Sequence, residues 1–130
     1  MPNDPRWLPI EVVVEINRTV VTRTGERYFL RDPGLLDSAI ARPKNAFAYG
    51  EEDIVALAVR LLAGVAQAHA FEQGNKRTSF IAMAEFLMIN GYDLAIDDTA
   101  GWAGEVIALV EHRSTEDDFV RAIRPYVVPI

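Results

Sequence analysis

Residues 51–90 read EEDIVALAVRLLAGVAQAHAFEQGNKRTSFIAMAEFLMIN and contain two apolar helical patterns joined by a short polar loop. From Glu51 to about Ala68, apolar residues recur at the i, i+3, i+4, i+7 spacing of one helix face: Ile54, Leu57, Ala58, Leu61, Leu62 and Val65. A second pattern runs from Asn75 to Asn90, and Gly91 is placed to end it as a left-handed cap. Its apolar side carries Phe80, Ile81, Ala84, Leu87 and Met88. The stretch therefore predicts two adjacent core helices.

The N-terminal third predicts two further helices. Pro9 can occupy a first helical turn, and apolar spacing continues to Val21 before Gly25, although the many valines make a strand the competing interpretation. Asp32 and Pro33 are typical of a helix cap and first turn. We expect that short helix to end at Pro43, which leaves residues 43–50 as a loop.

The C-terminal third predicts two short helices. Asp97 or Asp98 can cap the first, and Ser114 with Asp117 resembles a capping box for the second. Their apolar positions are Trp102, Val106, Leu109 and Val110, then Phe119, Ile123 and Tyr126. The fold class predicted is an all-α, compact helical bundle formed by residues 1–130 as one domain, with a short extended element near 26–31 or 43–50.

Composition excludes several functions. The 130 residues are 50% hydrophobic, enough for one core, and carry a formal net charge of −6. Such a charge disfavours nonspecific binding to nucleic acid or to anionic lipid. The chain has no cysteine, its start does not resemble a signal peptide, and no apolar run near the loop is long enough for a membrane span. We therefore expect a soluble cytoplasmic protein.

The loop between the core helices concentrates residues suited to phosphate chemistry. His69 can accept a proton from a hydroxyl that attacks phosphorus. The Gly74-Asn75 step permits a tight turn, and Lys76 and Arg77 follow in the first helical turn, where backbone N–H groups attract anions. Each residue alone has a simpler interpretation, since a histidine at a helix end is usually a surface or capping group. Two cations at the positive end of a helix dipole, however, indicate an anion nearby.

Taken together, the loop resembles the signature of the Fic/Doc family, His-x-Phe-x-(Asp/Glu)-(Gly/Ala)-Asn-(Gly/Lys)-Arg. The matching positions are His69, Phe71, Gly74, Asn75, Lys76 and Arg77. Further similarity to the death-on-curing (Doc) branch lies in residues 31–40, the Arg42-Pro43 step, Ala48-Tyr49, Thr78 and Asn90-Gly91-Tyr92. Phe71 is also interpretable simply as a core anchor for the loop.

The resemblance implies a Fic fold and a role for each matched residue. His69 would be the base that activates a target hydroxyl, Asn75 would help to hold a phosphate at the Gly74 turn, and Lys76 and Arg77 would clamp the nucleotide phosphates. Most Fic proteins have glycine at the position of Lys76 and transfer AMP from ATP. The lysine is typical of Doc-like toxins, which phosphorylate a threonine of elongation factor Tu and so arrest translation.

One position departs from the family pattern. Gln73 stands where the family has the acidic residue that usually binds Mg²⁺, and a carboxamide brings no negative charge. We therefore expect weaker metal binding from this side chain than from a carboxylate. Residues 43–50 occupy the place of the family's flap, which is similar to an exposed strand edge for the target. Phe47 and Tyr49 would then contact the target, or else pack the loop onto the bundle.

The resemblance also implies partners. The inhibitory Ser/Thr-x-x-x-Glu-Gly/Asn pattern of many larger Fic proteins is not found, which implies control in trans by an antitoxin of the prevents-host-death type. The primary hypothesis is a Doc-like kinase that uses ATP to modify a protein hydroxyl. Two alternatives remain open at this stage: an AMP transferase with the same base, and a binding module that has lost catalysis through Gln73.

Overall fold

The computed structural model describes residues 4–97 and 101–130, which form a helical bundle with one small strand pair. Its helices are α1 (Ile10–Arg23), α2 (Pro33–Ala48), α3 (Ile54–Ala68), α4 (Asn75–Ile89), α5 (Trp102–Val110) and α6 (Glu116–Ile123). A single 3₁₀ turn, Arg124–Tyr126, leads into the last strand. The all-α prediction is confirmed. No described helix has both the length and the apolar character needed to cross a membrane.

Helix α3 lies at the centre of the bundle. Ten of its 15 residues are buried, so its apolar character extends well beyond one face. The helix begins at Ile54 because the side chain of Asp53 accepts a hydrogen bond from the N–H of Val55 at 3.0 Å. Arg124 pairs with the same carboxylate and lowers its pKa. Helices α2 and α4 pack on either side of α3 and complete the main core.

The strand interpretation of the first segment was wrong, since α1 is helical throughout. Its buried side chains are Val13, Asn17, Val20 and Val21, which follow one helix face. Valine has only a slightly reduced helix propensity, and burial of this face against α4 outweighs it. Helix α1 thereby places a buried amide, Asn17, beside the start of α4.

Pro43 does not stop α2, so the prediction of a loop at residues 43–50 was also wrong. Helix α2 continues to Ala48, and Pro43 is buried within it. Proline removes one backbone donor, which leaves the carbonyl of Ala39 without its usual helical partner. That carbonyl lies against α3, where a Cβ built on Gly64 would be 2.9 Å from it. Helix α2 therefore continues through Pro43 at the point where it packs closely on α3.

The C-terminal caps differ from the predicted ones. Helix α5 follows Gly101 rather than Asp97, and Asp98 lies outside the described residues. The capping box is formed by Thr115 and Asp118, one residue later than Ser114 and Asp117, because the hydroxyl of Thr115 reaches the N–H of Asp118 at 3.1 Å.

A two-stranded antiparallel sheet closes the C-terminal end of the fold. Strand β1 (Tyr92–Leu94) pairs with β2 (Val127–Pro129), and Tyr92 lies opposite Pro129. Neither strand was predicted from the sequence, because each has only three residues and its partner is far away along the chain. The pair connects the end of α4 to the end of the chain.

Gly64 provides a test of this packing. Gly64→Ala should lower the free energy of unfolding by about 1–2 kcal/mol, because the new methyl group would press on the backbone carbonyl of Ala39. Gly104→Ala is the matched control: its Cβ would meet nothing within 4 Å, so the helix should gain about 0.5–1 kcal/mol. Urea unfolding followed by circular dichroism measures both. Equal stability of the two variants would contradict the close approach of α2 and α3.

Candidate active site

The loop between α3 and α4 has a left-handed residue at each end. His69 follows the last residue of α3 with φ 50° and ψ 39°, and Gly74 precedes α4 with φ 76° and ψ 17°. A left-handed histidine costs backbone energy, and such residues concentrate at functional sites. The two turns reverse the chain, so that exposed His69 and the start of α4 face the same side of the loop.

Asn75 and Phe71 fix the middle of this loop. Phe71 is fully buried, which confirms it as a core anchor. The side-chain Oδ1 of Asn75 accepts from the N–H of Phe71 at 3.0 Å, and its Nδ2 donates to the carbonyl of Phe71 at 2.8 Å. Both polar atoms of this amide are thus engaged with the backbone. Asn75 shapes the loop in this structure, and its contact with a phosphate stays a prediction.

Asn17 fixes the end of the loop from α1. Its buried Nδ2 donates to the carbonyl of Gln73 at 2.8 Å and to the hydroxyl of Thr78 at 3.0 Å. A Cβ on Gly74 would lie 3.0 Å from Val21 and 3.2 Å from this Nδ2, so glycine is required by space as well as by φ. This role of Asn17 was not predicted, although a polar residue within the apolar stripe of α1 was a signal for it.

The loop and the first turn of α4 border one open cavity of about 350 Å³. It is lined by six residues that sequence analysis singled out, His69, Gln73, Gly74, Asn75, Lys76 and Arg77, together with Arg31 and Glu72. No side chain caps the N-terminus of α4 among the residues that the structure describes. The first-turn N–H groups therefore remain available to an anion, and the helix dipole adds partial positive charge there.

Arg77 is already paired at the rim of this cavity. Its Nη2 lies 2.6 Å from Oε1 of Glu26, and its Nη1 donates to the hydroxyl of Thr24 at 3.2 Å. The hydrogen bond from Thr24 and the one from Arg77 lower the pKa of Glu26, which is therefore a carboxylate at neutral pH. An incoming phosphate would have to share Arg77 with this carboxylate or displace it.

The extended segment beside the loop is 26–32, which overlaps the first of the two predicted positions, 26–31. Leu30 forms an antiparallel bridge with Phe71, the N–H of Arg31 donates to the carbonyl of Ala70 at 2.8 Å, and that of Glu72 donates to Phe29 at 2.9 Å. This segment therefore lies against the candidate catalytic loop. Of its residues, Arg31 also lines the cavity, a role that sequence analysis missed.

The predicted strand edge at residues 43–50 was wrong, because α2 continues through most of it. Phe47 packs edge-on against Trp7 with ring centroids 5.7 Å apart, as the packing interpretation expects. Tyr49, by contrast, is 94% exposed. Neither residue lines the cavity around His69. Contact between Tyr49 and a target protein stays a prediction.

The donor set at the cavity does not fit a metal ion held by the protein. Gln73 is neutral, and the carboxylate of Glu72 lies 3.6 Å from Nε of Arg27, which competes for it. Within residues 4–97 and 101–130, no group of three or more His, Cys, Asp or Glu side chains is arranged to bind a metal. At nucleotide sites Mg²⁺ is usually held by one or two carboxylates together with the phosphates, and the one carboxylate among the residues that line this cavity, Glu72, is shared with Arg27.

Comparison with known proteins shows which family the chain belongs to. The model of the Fic/DOC family matches residues 7–87, which include α1 to α3, the loop and most of α4. The chain therefore belongs to the Fic/Doc family, as its sequence predicted. It is also 41% identical over 96 residues to the protein named Toxin Doc of Mycolicibacterium smegmatis (strain ATCC 700084 / mc(2)155), a match that covers 72% of this chain and 73% of that protein.

Alanine substitutions at two left-handed glycines, Gly25 and Gly74, distinguish the cost of backbone strain from the cost of close packing. Gly25→Ala should lower the free energy of unfolding by about 1 kcal/mol, since φ is +73° but a Cβ would meet nothing within 4 Å. Gly74→Ala should lower it by at least about 1 kcal/mol more, because its Cβ would also press on α1. Thermal and urea unfolding measure the difference. Equal losses would show that α1 does not restrict the loop.

Proposed function

We propose that this chain is a Doc-like toxin that transfers the γ-phosphoryl group of ATP to a hydroxyl side chain of a protein. Family membership and the similarity to Toxin Doc support this class of function. The observation on which the proposal depends is the shared cavity, in which one imidazole faces the uncapped first turn of a helix. By resemblance, the target is elongation factor Tu, and the consequence is arrest of translation.

The chemistry assigns a separate task to each residue. The imidazole of His69 takes the proton of the target hydroxyl while that oxygen forms a bond to the γ-phosphorus, and ADP leaves with the electron pair of the broken P–O bond. The N–H groups at the start of α4 and the ammonium of Lys76 offset charge on the phosphate oxygens. Lys76 fills space that glycine leaves open in most Fic proteins, which favours the γ-phosphate at His69.

A second cavity next to the first suits the base of a nucleotide. It has a volume of about 180 Å³ and lies between α4 and α5, where it is lined mainly by apolar side chains that include Phe80 and Trp102. Lys76 and Arg77 border both cavities. A ligand with an aromatic ring and a phosphate chain can therefore occupy the two together. This arrangement supports a nucleotide over inorganic phosphate as the ligand.

Control by an antitoxin has a candidate surface of its own. An open groove of about 750 Å³ lies between α1 and α4, with Val12, Ile16, Val20 and Ile81 among its lining residues. Its charged lining residues are three carboxylates, Glu11, Glu15 and Glu85, and one cation, Arg23, so the groove is acidic on balance. We propose that the disordered tail of a prevents-host-death antitoxin folds there as a helix that carries basic residues.

Gln73 favours one further candidate function, a binding module without catalysis. The missing carboxylate removes the family's usual metal ligand, and the neighbouring carboxylate that lines the cavity, Glu72, is paired with Arg27. In that case the chain would retain its partner surfaces and transfer nothing to a target. The same transfer assay decides between this candidate, the kinase and the AMP transferase.

Transfer of label identifies the reaction. The protein is incubated with Mg²⁺, elongation factor Tu and ATP labelled at either the α- or the γ-phosphorus. We expect γ label on elongation factor Tu, and His69→Ala should reduce its rate by about a hundredfold or more because no base remains. Gln73→Asp tests whether the metal ligand limits the rate.

Three other outcomes would contradict part or all of the proposal. Transfer of α label would show AMP transfer instead. In a cell extract, γ label on another protein with none on elongation factor Tu would reject elongation factor Tu as the target and leave the kinase activity standing. Absence of transfer from both labels, with any protein offered, would favour the binding module. Arg113→Gln serves as a control, since Arg113 pairs with Glu111 outside the cavity.

A further inference from the structure

Arg31 is held at the edge of the cavity by two contacts with the catalytic loop. Its backbone N–H donates to the carbonyl of Ala70 at 2.8 Å, and its side-chain Nη2 donates to the carbonyl of His69 at 3.2 Å. The residue is exposed, and it lies just before α2, 38 positions from His69 along the chain. The guanidinium is therefore bonded to His69, whose imidazole belongs to the lining of the cavity.

Neighbouring arginines around the cavity are paired with carboxylates, whereas Arg31 is not, among the described residues. Arg77 is paired with Glu26, and Arg27 with Glu72. Among the described residues, Arg31 and Lys76 line the cavity without a carboxylate within salt-bridge distance. Of the five N–H donors of Arg31, the structure uses one for the carbonyl of His69. Its remaining donors form a planar fork of the kind that binds phosphate oxygens.

The neutral Gln73 explains why an additional cation matters here. Gln73 stands at the position that would hold a divalent ion, and Glu72 is paired with Arg27, so cationic side chains would offset more of the phosphate charge beside the N–H groups of α4. We propose that Arg31 binds the terminal phosphate of the nucleotide and supplies the positive charge that a protein-bound metal would otherwise provide. This inference rests on the proposed function, because it needs a nucleotide phosphate beside His69.

Two consequences distinguish a phosphate-binding Arg31 from one that merely supports the loop. The protein should bind ATP when no divalent ion is present. It should also prefer ATP to ADP, because only ATP places a third phosphate beside His69. A residue that only held the carbonyl of His69 would affect both nucleotides equally when changed.

Isothermal titration with ATP and with ADP, in EDTA and in Mg²⁺, tests the proposal. We expect wild-type protein to bind ATP in EDTA within about threefold of its affinity in Mg²⁺. Arg31→Gln should weaken the affinity for ATP by about tenfold or more, as the loss of a charged hydrogen bond predicts. Its affinity for ADP should be nearly unchanged. Arg31→Lys should recover part of the loss. Arg113→Gln removes the same charge outside the cavity and should change neither affinity, and circular dichroism checks the fold of each variant.

Other outcomes have separate meanings. The role of Arg31 is overturned, and the proposed function stands, if Lys76→Met weakens the affinity for ATP but Arg31→Gln does not. The same conclusion follows if Arg31→Gln weakens the affinities for ATP and ADP equally. If Mg²⁺ strengthens wild-type binding by more than about tenfold, the substitution of side-chain charge for a metal is overturned. If wild-type protein binds ATP under neither condition, the proposed function fails together with this inference. Gln73→Glu is expected to acquire a dependence on Mg²⁺ that the wild type lacks.

Discussion

The buried amide of Asn17 is the contact on which the site depends. It binds the carbonyl of Gln73 before the turn and the hydroxyl of Thr78 after it, so it fixes both sides of the start of α4. The chain can pass this close to α1 only because Gly74 has no side chain. Burial strengthens these hydrogen bonds, since water does not compete for the groups. The direction of the first turn of α4, and with it the cavity, follows from this contact.

The cavity includes two cations, Lys76 and Arg77, in the first turn of α4, at the positive end of the helix dipole. Cations in the first turn of a helix are repelled by the dipole, by about 0.3–1 kcal/mol each at an exposed site. Glu26 relieves this repulsion for Arg77, whereas Lys76 has no such partner among the described residues. An anion that bound here would relieve it. The same arrangement is therefore slightly unfavourable for folding and favourable for binding phosphate, as expected where a site serves function rather than stability.

Local features of this chain were predictable from sequence, and contacts between distant segments were not. The apolar spacing of α3 and α4 and the ordered motif between them gave the fold class and the family. Pro43 was misinterpreted because the packing that tolerates it involves Gly64 of another helix. The pairing of Arg77 with Glu26 joins residues 51 positions apart, and neither the pattern around Glu26 nor that around Arg31 indicates what it contacts. The roles of these partners required the tertiary structure.

The central claim is that nucleotide phosphates lie between the imidazole of His69 and the uncapped start of α4. Amide and imidazole NMR shifts during titration with ATP test it most directly. The account predicts that the largest shifts occur at the backbone amides of residues 74–77 and at the ring of His69, with smaller ones along α5. Saturable shifts confined to other surfaces, with these amides unchanged, would contradict it.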